Sequence, residues 1–368
     1  MTTVNDVKNQ PLKGRIKTLE AQVESLKSKL SEAGSKIDLD KVNLQAKVQS
    51  LTQQVTKYAK AEGKVAEYLA QVKTAVQALD PLPEVPFIIP DRNRSKTPIT
   101  VVLHRTDWHI GEVNDPKGTD GWGGYNWQIA QDRVLGQLTP AFLEWLDTQR
   151  SGYNIKDLVI LDTGDFISGD IHQELLVTNE FPMPVQTAKA GQLLAQMTAE
   201  LAPHFEKITV HQIGADNHSR LTKKPQAAQK SLNSMSYLVY EIHNALVEKH
   251  TNIVNLRAEG IKELVTIGNY NFLVEHGDSV KSWMSLPAYG IEREAAREAK
   301  RRMFNGKGYH YIVIGHFHTA FFGDLIMGGC LGGTTAFDHQ CGRVAQPTQT
   351  AWLVGKRGSF GFVPFRLK

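Results

Sequence analysis

The spacing of apolar residues divides the chain near residue 80. Between residues 12 and 79 apolar residues recur every seven positions among Lys, Gln, Glu, Ser and Ala, which predicts a helical coiled-coil arm over residues 1–80. The second apolar position of each heptad shifts by one residue near Gly34 and Ser35. Such a shift is typical of a stutter in one long coiled coil or of a turn between two helices. The arm is therefore expected either to associate with a second copy or to form a hairpin on its own chain.

A linker follows the arm, and the pattern then changes to that of a mixed domain. Prolines recur over residues 81–98, where no helix can continue, so we expect a domain over residues 99–368. Here β-branched runs alternate with helix-like stretches, which predicts an α/β domain with a site at the carboxyl ends of its strands. Short strands after residue 320 predict a sheet layer that closes the domain. The helix-like stretches are residues 127–149, with a kink or a join at Pro140, 186–205 and 227–250, and the late strands are residues 321–327, 350–354 and 361–367.

Five apolar runs end in residues of the types that bind metal ions. The run over residues 311–314 stops in Gly315-His316-Phe317-His318, where an extended backbone places both imidazoles on one face. A His-x-His pair also occurs on ordinary strands and is not diagnostic by itself. Four further runs end in Asp, Asn or His, which chance does not explain. The candidate ligands are Asp107, His109, Asp165, Asn217, His276, His316 and His318.

These candidates suffice for two divalent cations. Two such ions about 3.5–4 Å apart clamp a phosphate, activate a water molecule and stabilise the leaving oxygen. Asp165, which follows Gly164, is the candidate carboxylate that bridges both ions. The mixture of nitrogen and oxygen ligands favours manganese, with iron or zinc as alternatives, over calcium or magnesium. His218 adjoins a candidate ligand and is a candidate to protonate the leaving oxygen or to hold a phosphate oxygen.

The motif order Asp-x-His, Gly-Asp, Asn-His, His-Gly and Gly-His-x-His, over about residues 100–355, resembles the calcineurin-like metallophosphoesterase superfamily. The resemblance implies an α/β four-layer sandwich of two facing mixed sheets flanked by helices, here preceded by the coiled-coil extension. It also implies that His218 is the catalytic histidine. The implied ligands are Asp107, His109, Asp165 and His318 for one metal, and Asp165, Asn217, His276 and His316 for the other.

Two features of the sequence go beyond the shared motif order: one resembles a subfamily, and the other departs from the superfamily pattern. Residues 328–333 and 346–350 look like the end of DNA-repair-exonuclease-like members, which phages often carry. In the superfamily Gly usually precedes the Asn-His pair, whereas Asp216 stands there in this chain. The loop geometry is therefore expected to differ, with Asp216 as a ligand or as a hydrogen-bond acceptor near the ligands.

The distribution of charge bears on whether the chain has an anionic partner. Residues 1–80 hold 13 Lys and Arg against 9 Asp and Glu, which accounts for the whole formal net charge of +4, although a solvated helix face explains the excess more simply. In the domain, Arg297 and Arg301 lie in a basic stretch with interleaved Glu residues. This stretch is either a track for phosphates or a salt-bridged solvated face. Trp122, in a glycine-rich loop, is a candidate to stack on bases.

Together these patterns favour a two-metal phosphodiesterase that acts on nucleic acid, most simply a nuclease that cleaves DNA. Asp165 and His218 are its expected catalytic residues. A protein phosphatase, or a hydrolase of a nucleotide or cyclic nucleotide, would use the same ligands. A structural protein with a vestigial site is a third interpretation, which the complete ligand set argues against.

The sequence also predicts where in the cell the protein is located and the state of its cysteines. No apolar run approaches the roughly 18 residues of a membrane span, and the first residues lack the apolar core of a signal peptide. We therefore expect no membrane partner and a cytoplasmic location, which is the host cytoplasm if a phage encodes the chain. The two cysteines, Cys330 and Cys341, are expected to be free thiols.

Overall fold

The structure is a computed structural model of the chain. It describes residues 12–32, 45–56, 59, 96–171, 174–222, 230–280, 287–340, 342 and 344–368. Contacts divide the chain into two compact units, residues 1–92 and residues 93–368. The first unit contains the predicted arm, and the second contains the predicted catalytic domain.

The N-terminal unit is helical wherever it is described. Helix α1 runs over Leu12–Glu32, and a second helical segment runs over residues 45–56. Within α1 the heptad residues Leu19 and Val23 are buried. The phase change at Gly34 and most of the linker lie outside the described residues. The coiled coil, its break and its self-association therefore remain predictions.

Six strands form the first sheet of the second unit. They are β1 (Thr97–Arg105), β2 (Tyr153–Asp162), β3 (Lys207–Gln212), β4 (Ile253–Arg257), β9 (Thr348–Gly355) and β10 (Gly358–Arg366). Their order is β10-β9-β1-β2-β3-β4. Strands β1 to β4 are parallel, whereas β9 is antiparallel to β1 and to β10. β1 begins two residues before the predicted domain start at residue 99.

Four strands form the second sheet, and helices cover both sheets. The strands are β5 (Lys262–Ile267), β6 (Tyr270–Glu275), β7 (Tyr311–Ile314) and β8 (Leu325–Met327), in that order. β5 and β6 are antiparallel, and β6, β7 and β8 are parallel. The helices are α2 (Trp127–Gln131), α3 (Thr139–Gly152), α4 (Leu175–Thr178), α5 (Met183–Leu201), α6 (Met235–Val247), α7 (Pro287–Met303) and α8 (Ala336–Gln340). Among the described helices, none is long and apolar enough to cross a membrane.

Apolar side chains fill three interfaces between layers. Between the sheets, Val102 and Leu161 of the first sheet belong to one buried cluster with Phe272 and Val313 of the second. A second cluster joins the outer face of the first sheet to α3, α5 and α6, and a third joins the outer face of the second sheet to α7 through Ile291. The predicted α/β arrangement of two facing mixed sheets flanked by helices is confirmed.

The late strands do not form a layer of their own. β8 lies beside β7 in the second sheet, whereas β9 and β10 extend the first sheet beyond β1. β8 and β10 are therefore the edge strands of two sheets that also contain the strands preceding the predicted metal ligands, and β9 lies between β10 and β1. The pairing partner of an edge strand depends on distant backbone, which a local apolar pattern does not specify.

The predicted kink at Pro140 is a wide helical turn. Asp132–Leu138 forms a π-helical segment that joins α2 to α3 without a break. Proline has no N–H and its ring collides with the carbonyl four residues earlier, so a widened turn accommodates it. The hydroxyl of Thr139 donates to Val134 O at 2.8 Å across this turn.

A fully buried ion pair lies under the strand ends. Arg105, the last residue of β1, donates from Nε and Nη2 to both carboxylate oxygens of Asp162, at 2.7 Å and 2.9 Å. Arg105 Nη1 also donates to Thr198 Oγ1 on α5 at 2.8 Å. The pair therefore connects β1, β2 and α5 immediately before the loops that carry Asp107 and Asp165.

Removing the arginine should destabilise the domain strongly. The Arg105→Ala variant leaves Asp162 buried without its counter-charge, so we expect the free energy of unfolding to fall by about 3–5 kcal/mol in urea titrations. Lys156→Ala, which removes an exposed ion pair with Glu206 on the same sheet, is the control and should change stability far less. Equal losses in the two variants would contradict a structural role for the buried pair.

Candidate metal centre

The loops that follow the ligand-bearing strands meet at one edge of the two sheets. The Asp107 N–H donates to Gly164 O at 3.1 Å, so the loops after β1 and β2 remain paired beyond their strands. The Gly315 N–H donates to His276 O at 2.8 Å and joins the loops after β6 and β7 in the same way. The His316 N–H donates to the Asp107 carboxylate at 3.0 Å, which joins the two pairs of loops and brings residues more than 200 positions apart into one site.

Asp107, His109 and His318 form the first ligand cluster. The Nε2 atoms of His109 and His318 are 3.2 Å apart, and Asp107 Oδ1 lies 3.9 Å and 3.6 Å from them. Two nitrogens that bind one tetrahedral zinc ion lie about 3.3 Å apart, given bonds of about 2.0–2.1 Å. The spacing of these three atoms therefore fits one cation.

Asn217, His276 and His316 form the second ligand cluster. Asn217 Oδ1 lies 2.9 Å from His276 Nε2 and 3.1 Å from His316 Nδ1. Ligand atoms of Asp165, His276 and His316 lie within 4.8 Å of one another. This mixture of carboxylate, amide and imidazole fits a second divalent cation.

Asp165 lies between the two clusters. Its Oδ2 is 3.0 Å from His276 Nε2, and its Oδ1 accepts a hydrogen bond from the His218 N–H at 3.0 Å. Ligand atoms of His109, Asp165 and His218 also lie within 4.8 Å of one another. A bridging ligand must reach both clusters, and the Asp165 carboxylate does so. The structure thus brings together all seven predicted ligands and His218, although their binding of metal remains a prediction.

Many of these residues have a left-handed backbone, which costs about 1–2 kcal/mol for a residue other than glycine. The described residues include six non-glycine positions with positive φ, and five of the six are predicted ligands. A strained backbone conformation is retained only where the surrounding structure holds it, and such conformations are common at functional sites. The five are Asp107, His109, Asp165, His316 and His318, with φ between 48° and 66°.

Backbone carbonyls orient two of the imidazoles. The Nδ1–H of His276 donates to Thr163 O at 2.9 Å, and the Nδ1–H of His218 donates to Ser168 O at 2.6 Å. A hydrogen bond at Nδ1 leaves Nε2 to face the site. His218 is half-buried, so its Nε2 is available to a substrate on the open side of the clusters.

Asp338 orients a third imidazole, and the sequence does not reveal it. Its Oδ2 accepts a hydrogen bond from His318 Nδ1 at 2.8 Å and another from the Thr335 hydroxyl at 2.8 Å. Asp338 stands 20 residues after His318 in the short helix α8, and no motif or period marks it. It supplies a carboxylate that orients the His318 ring.

Electrostatic shifts follow from the close packing of these groups. Burial opposes a charged His276, but the charge and hydrogen bond of Asp165, together with the charges of Asp107 and Asp278, outweigh burial and raise the pKa of His276 to about 10. Burial likewise opposes a charged His318, whose pKa the hydrogen bond to Asp338 raises to about 9. Burial and then the charge of His276 lower the pKa of His316 to about 3. His276 and His318 therefore hold protons at neutral pH in the metal-free protein, and a cation must displace them.

Asp216, the residue that departs from the superfamily pattern, shapes the loop. Its Oδ1 accepts a hydrogen bond from the Ser219 N–H at 2.8 Å, and its Oδ2 accepts one from the Ser236 hydroxyl at 2.5 Å. The side chain lies so close to Gly164 that a Cβ there would be 2.7 Å from the Asp216 Cβ. Asp216 is therefore an acceptor that holds the loop, and Gly164 makes room for it.

The three predicted substrate-binding residues lie outside the ligand clusters. The side chain of Trp122 is 45% exposed, and those of Arg297 and Arg301 on α7 are 60% and 70% exposed. Among the described residues, no hydrogen bond or ion pair joins any of the three to a ligand residue. Their contact with substrate remains a prediction.

The acidic residues of α7 attach the helix to the second sheet. Glu294 and Glu298 lie 3.3 Å and 3.4 Å from the ammonium group of Lys262, a side chain on β5 that is only 10% exposed. Lys262 also contacts Glu275, which precedes His276, at 3.0 Å. Glu294 and Glu298 therefore face inward, whereas Glu292 is exposed, and the arginines lie on the outer surface.

Removing the Asp338 carboxylate should weaken metal binding without unfolding the domain. The Asp338→Asn variant replaces the charged acceptor of His318 Nδ1 by an amide, so we expect metal affinity to fall by about 10–100-fold in calorimetric titrations. Asp120→Asn, which changes an exposed carboxylate that contacts His339, is the matched control and should bind metal as the unmodified protein does. An unchanged affinity in Asp338→Asn would show that His318 needs no orienting group.

Comparisons with known proteins show similarity only at the level of solved structures. No protein-family model and no curated protein matches the sequence. Vps29 of Entamoeba histolytica, solved with Zn²⁺, is 14% identical, and the match covers 72% of this chain and 99% of that one with a TM-score of 0.30. An archaeal phosphodiesterase is 10% identical over 72% and 99% of the two chains, with a TM-score of 0.30. A predicted phosphoesterase of Streptococcus pneumoniae is 8% identical over 45% and 76%, with a TM-score of 0.25. Since these TM-scores lie below 0.5, we infer no function from them.

Proposed function

We propose that this chain is a two-metal phosphodiesterase that cleaves nucleic acid. One observation carries the proposal: two ligand clusters share the Asp165 carboxylate, and an imidazole that belongs to neither cluster stands beside it. A structural metal site is closed by its protein ligands, whereas this centre is half-open at Asn217, His218, His316 and His318. The arrangement suits a substrate that enters from the open side.

The residues of the centre have distinct tasks. Two divalent cations supply charge that stabilises the phosphoryl oxygens and a water made nucleophilic at neutral pH. Asp165 keeps the clusters at a fixed separation, and Asp107 is fixed because its carboxylate accepts hydrogen bonds from Thr106 Oγ1 at 2.6 Å and from the His316 N–H. His218, with Nδ1 bonded to a carbonyl, presents Nε2 as the donor that protonates the leaving oxygen.

Nucleic acid is the substrate that the remaining surface favours. The excess positive charge in the sequence of residues 1–80 and the outward arginines of α7 are two sources of positive charge, which a phosphate polymer needs and a small ester does not. A phosphatase or nucleotide hydrolase would share the metal ligands but would gain nothing from these surfaces.

Metal-dependent cleavage of DNA tests this proposal. Full-length protein loaded with manganese, and separately with zinc, is incubated with end-labelled single-stranded and duplex DNA, with a phosphomonoester and with bis(p-nitrophenyl) phosphate. We expect both DNA and the simple diester to be cleaved, and a chelator to abolish both activities. Turnover of the monoester alone would contradict the diesterase and favour a phosphatase. Turnover of the simple diester with DNA intact would contradict only the nucleic-acid substrate.

A further inference from the structure

The segment that follows β8 passes directly behind the first ligand cluster. The Leu331 N–H donates to Asp107 O at 2.9 Å, and Cys330 O accepts a hydrogen bond from the Thr348 N–H at 2.9 Å. A Cβ at Gly329 would lie 2.8 Å from Thr348 O, so only glycine allows this close approach. The backbone of Cys330 is thus held between a ligand-bearing loop and β9.

The side chain of Cys330 reaches the first cluster. Cys330 is fully buried, and its Sγ lies with ligand nitrogens of His109 and His318 in a group whose atoms are all within 4.8 Å of one another. Zinc forms bonds of about 2.3 Å to sulfur and about 2.0–2.1 Å to nitrogen. A sulfur and a nitrogen bound to one tetrahedral zinc ion therefore lie about 3.6 Å apart. The thiol is therefore within reach of a cation that both imidazoles bind.

The position of the His109 ring agrees with a cation between the two imidazoles. The ring is 1% exposed, and its Nδ1 has no hydrogen-bond partner among the described residues. Its Nε2 faces the Nε2 of His318, whose Nδ1 is bonded to Asp338. The two Nε2 atoms are 3.2 Å apart, close to the spacing of two imidazole nitrogens that bind one zinc ion. Both rings can therefore bind the cation that the thiol reaches.

We propose that the Cys330 thiolate is an additional ligand of the cation held by Asp107, His109 and His318, and that it makes this position prefer zinc or iron(II) to manganese. On coordination the sulfur–hydrogen bond is replaced by a sulfur–metal bond, and the proton passes to water. Thiolate is the softest ligand in the centre, and soft ligands select zinc and iron sites. The second cluster holds only oxygen and nitrogen ligands, so the two positions differ in metal preference. This inference rests on the two-metal centre of the proposed function but not on its hydrolytic step.

Cobalt(II) substitution tests the ligand directly. Full-length protein is loaded with cobalt(II), and its near-ultraviolet spectrum is recorded, because a thiolate bound to cobalt produces a charge-transfer band that nitrogen and oxygen ligands do not. We expect the band in the unmodified protein and in Cys341→Ser, the matched control that removes the other cysteine. The band should be lost in Cys330→Ser and in Cys330→Ala. Circular dichroism and cobalt stoichiometry show that each variant is folded and loaded.

Metal competition provides a second readout. When zinc and manganese compete for the protein, Cys330→Ser should lower the preference for zinc at one position by at least about tenfold, while the second position is unaffected. Cobalt-loaded protein without the band, or a band that persists in Cys330→Ser, would overturn the inference. A band together with failure to cleave any phosphodiester would leave this inference standing and contradict the proposed function. Cleavage of a phosphodiester without the band would overturn this inference and leave the proposed function standing.

Discussion

Asp165→Asn is expected to lower phosphodiester cleavage by on the order of 10³-fold, the equivalent of about 4 kcal/mol of transition-state stabilisation. The Asn side chain keeps an oxygen that can accept the His218 N–H, so the loop should retain its conformation. What is lost is the negative charge that lies between the clusters. We therefore expect the number of bound cations to fall below two at metal concentrations that saturate the unmodified protein. Metal analysis and steady-state cleavage of a labelled diester measure both effects.

The control for this variant is Asp157→Asn, which changes an exposed aspartate on β2, the strand that precedes Asp165. It should bind two cations and cleave at the normal rate. An Asp165→Asn protein that retains activity within tenfold of the unmodified protein, with two cations bound, would contradict the bridging role.

His218→Ala is expected to lower cleavage of DNA by about 10²–10⁴-fold, which is the usual contribution of a positioned proton donor. The cause is the loss of a proton for the leaving sugar oxygen, so metal content should remain at two. Hydrolysis of bis(p-nitrophenyl) phosphate should fall much less, because p-nitrophenolate leaves without protonation. The ratio of the two losses, from kcat/KM with each substrate, measures the effect.

His204→Ala, at an exposed histidine, is the control and should leave both rates unchanged. Equal losses on both substrates in His218→Ala would argue against proton donation. They would instead indicate that His218 holds the phosphate or maintains the loop through its contact with Asp165.

Most of the candidate centre could be predicted from the sequence because its ligands stand at strand ends. Buried strands are short β-branched runs, and ligand residues directly after such runs share one sheet edge whatever their separation in the chain. His316 and Asp107 follow strands of the two facing sheets, whose edges meet, so that the backbone N–H of His316 donates to the Asp107 carboxylate across 209 positions. The assignment of strands to two facing sheets came from the resemblance of the motif order and is confirmed by the structure.

Residues that act from irregular segments could not be predicted. Asp338 contacts His318 from a five-residue helix, and Cys330 contacts the same cluster from a glycine-rich loop. Neither segment has a period that links it to a strand end. The partner of the α7 acids could not be predicted either. In the sequence Glu294 and Glu298 resemble a solvated helix face, whereas in the structure they contact Lys262 of β5.

The existence of a dinuclear centre is tested most directly by anomalous diffraction from crystals grown with manganese and zinc, with data collected at the absorption edge of each metal. We expect two peaks about 3.5–4 Å apart, on either side of the Asp165 carboxylate. One should lie against His109 and His318 and the other against His276 and His316. A single peak away from Asp165, or no peak at fully loaded metal concentrations, would contradict the two-metal centre and the phosphodiesterase built on it.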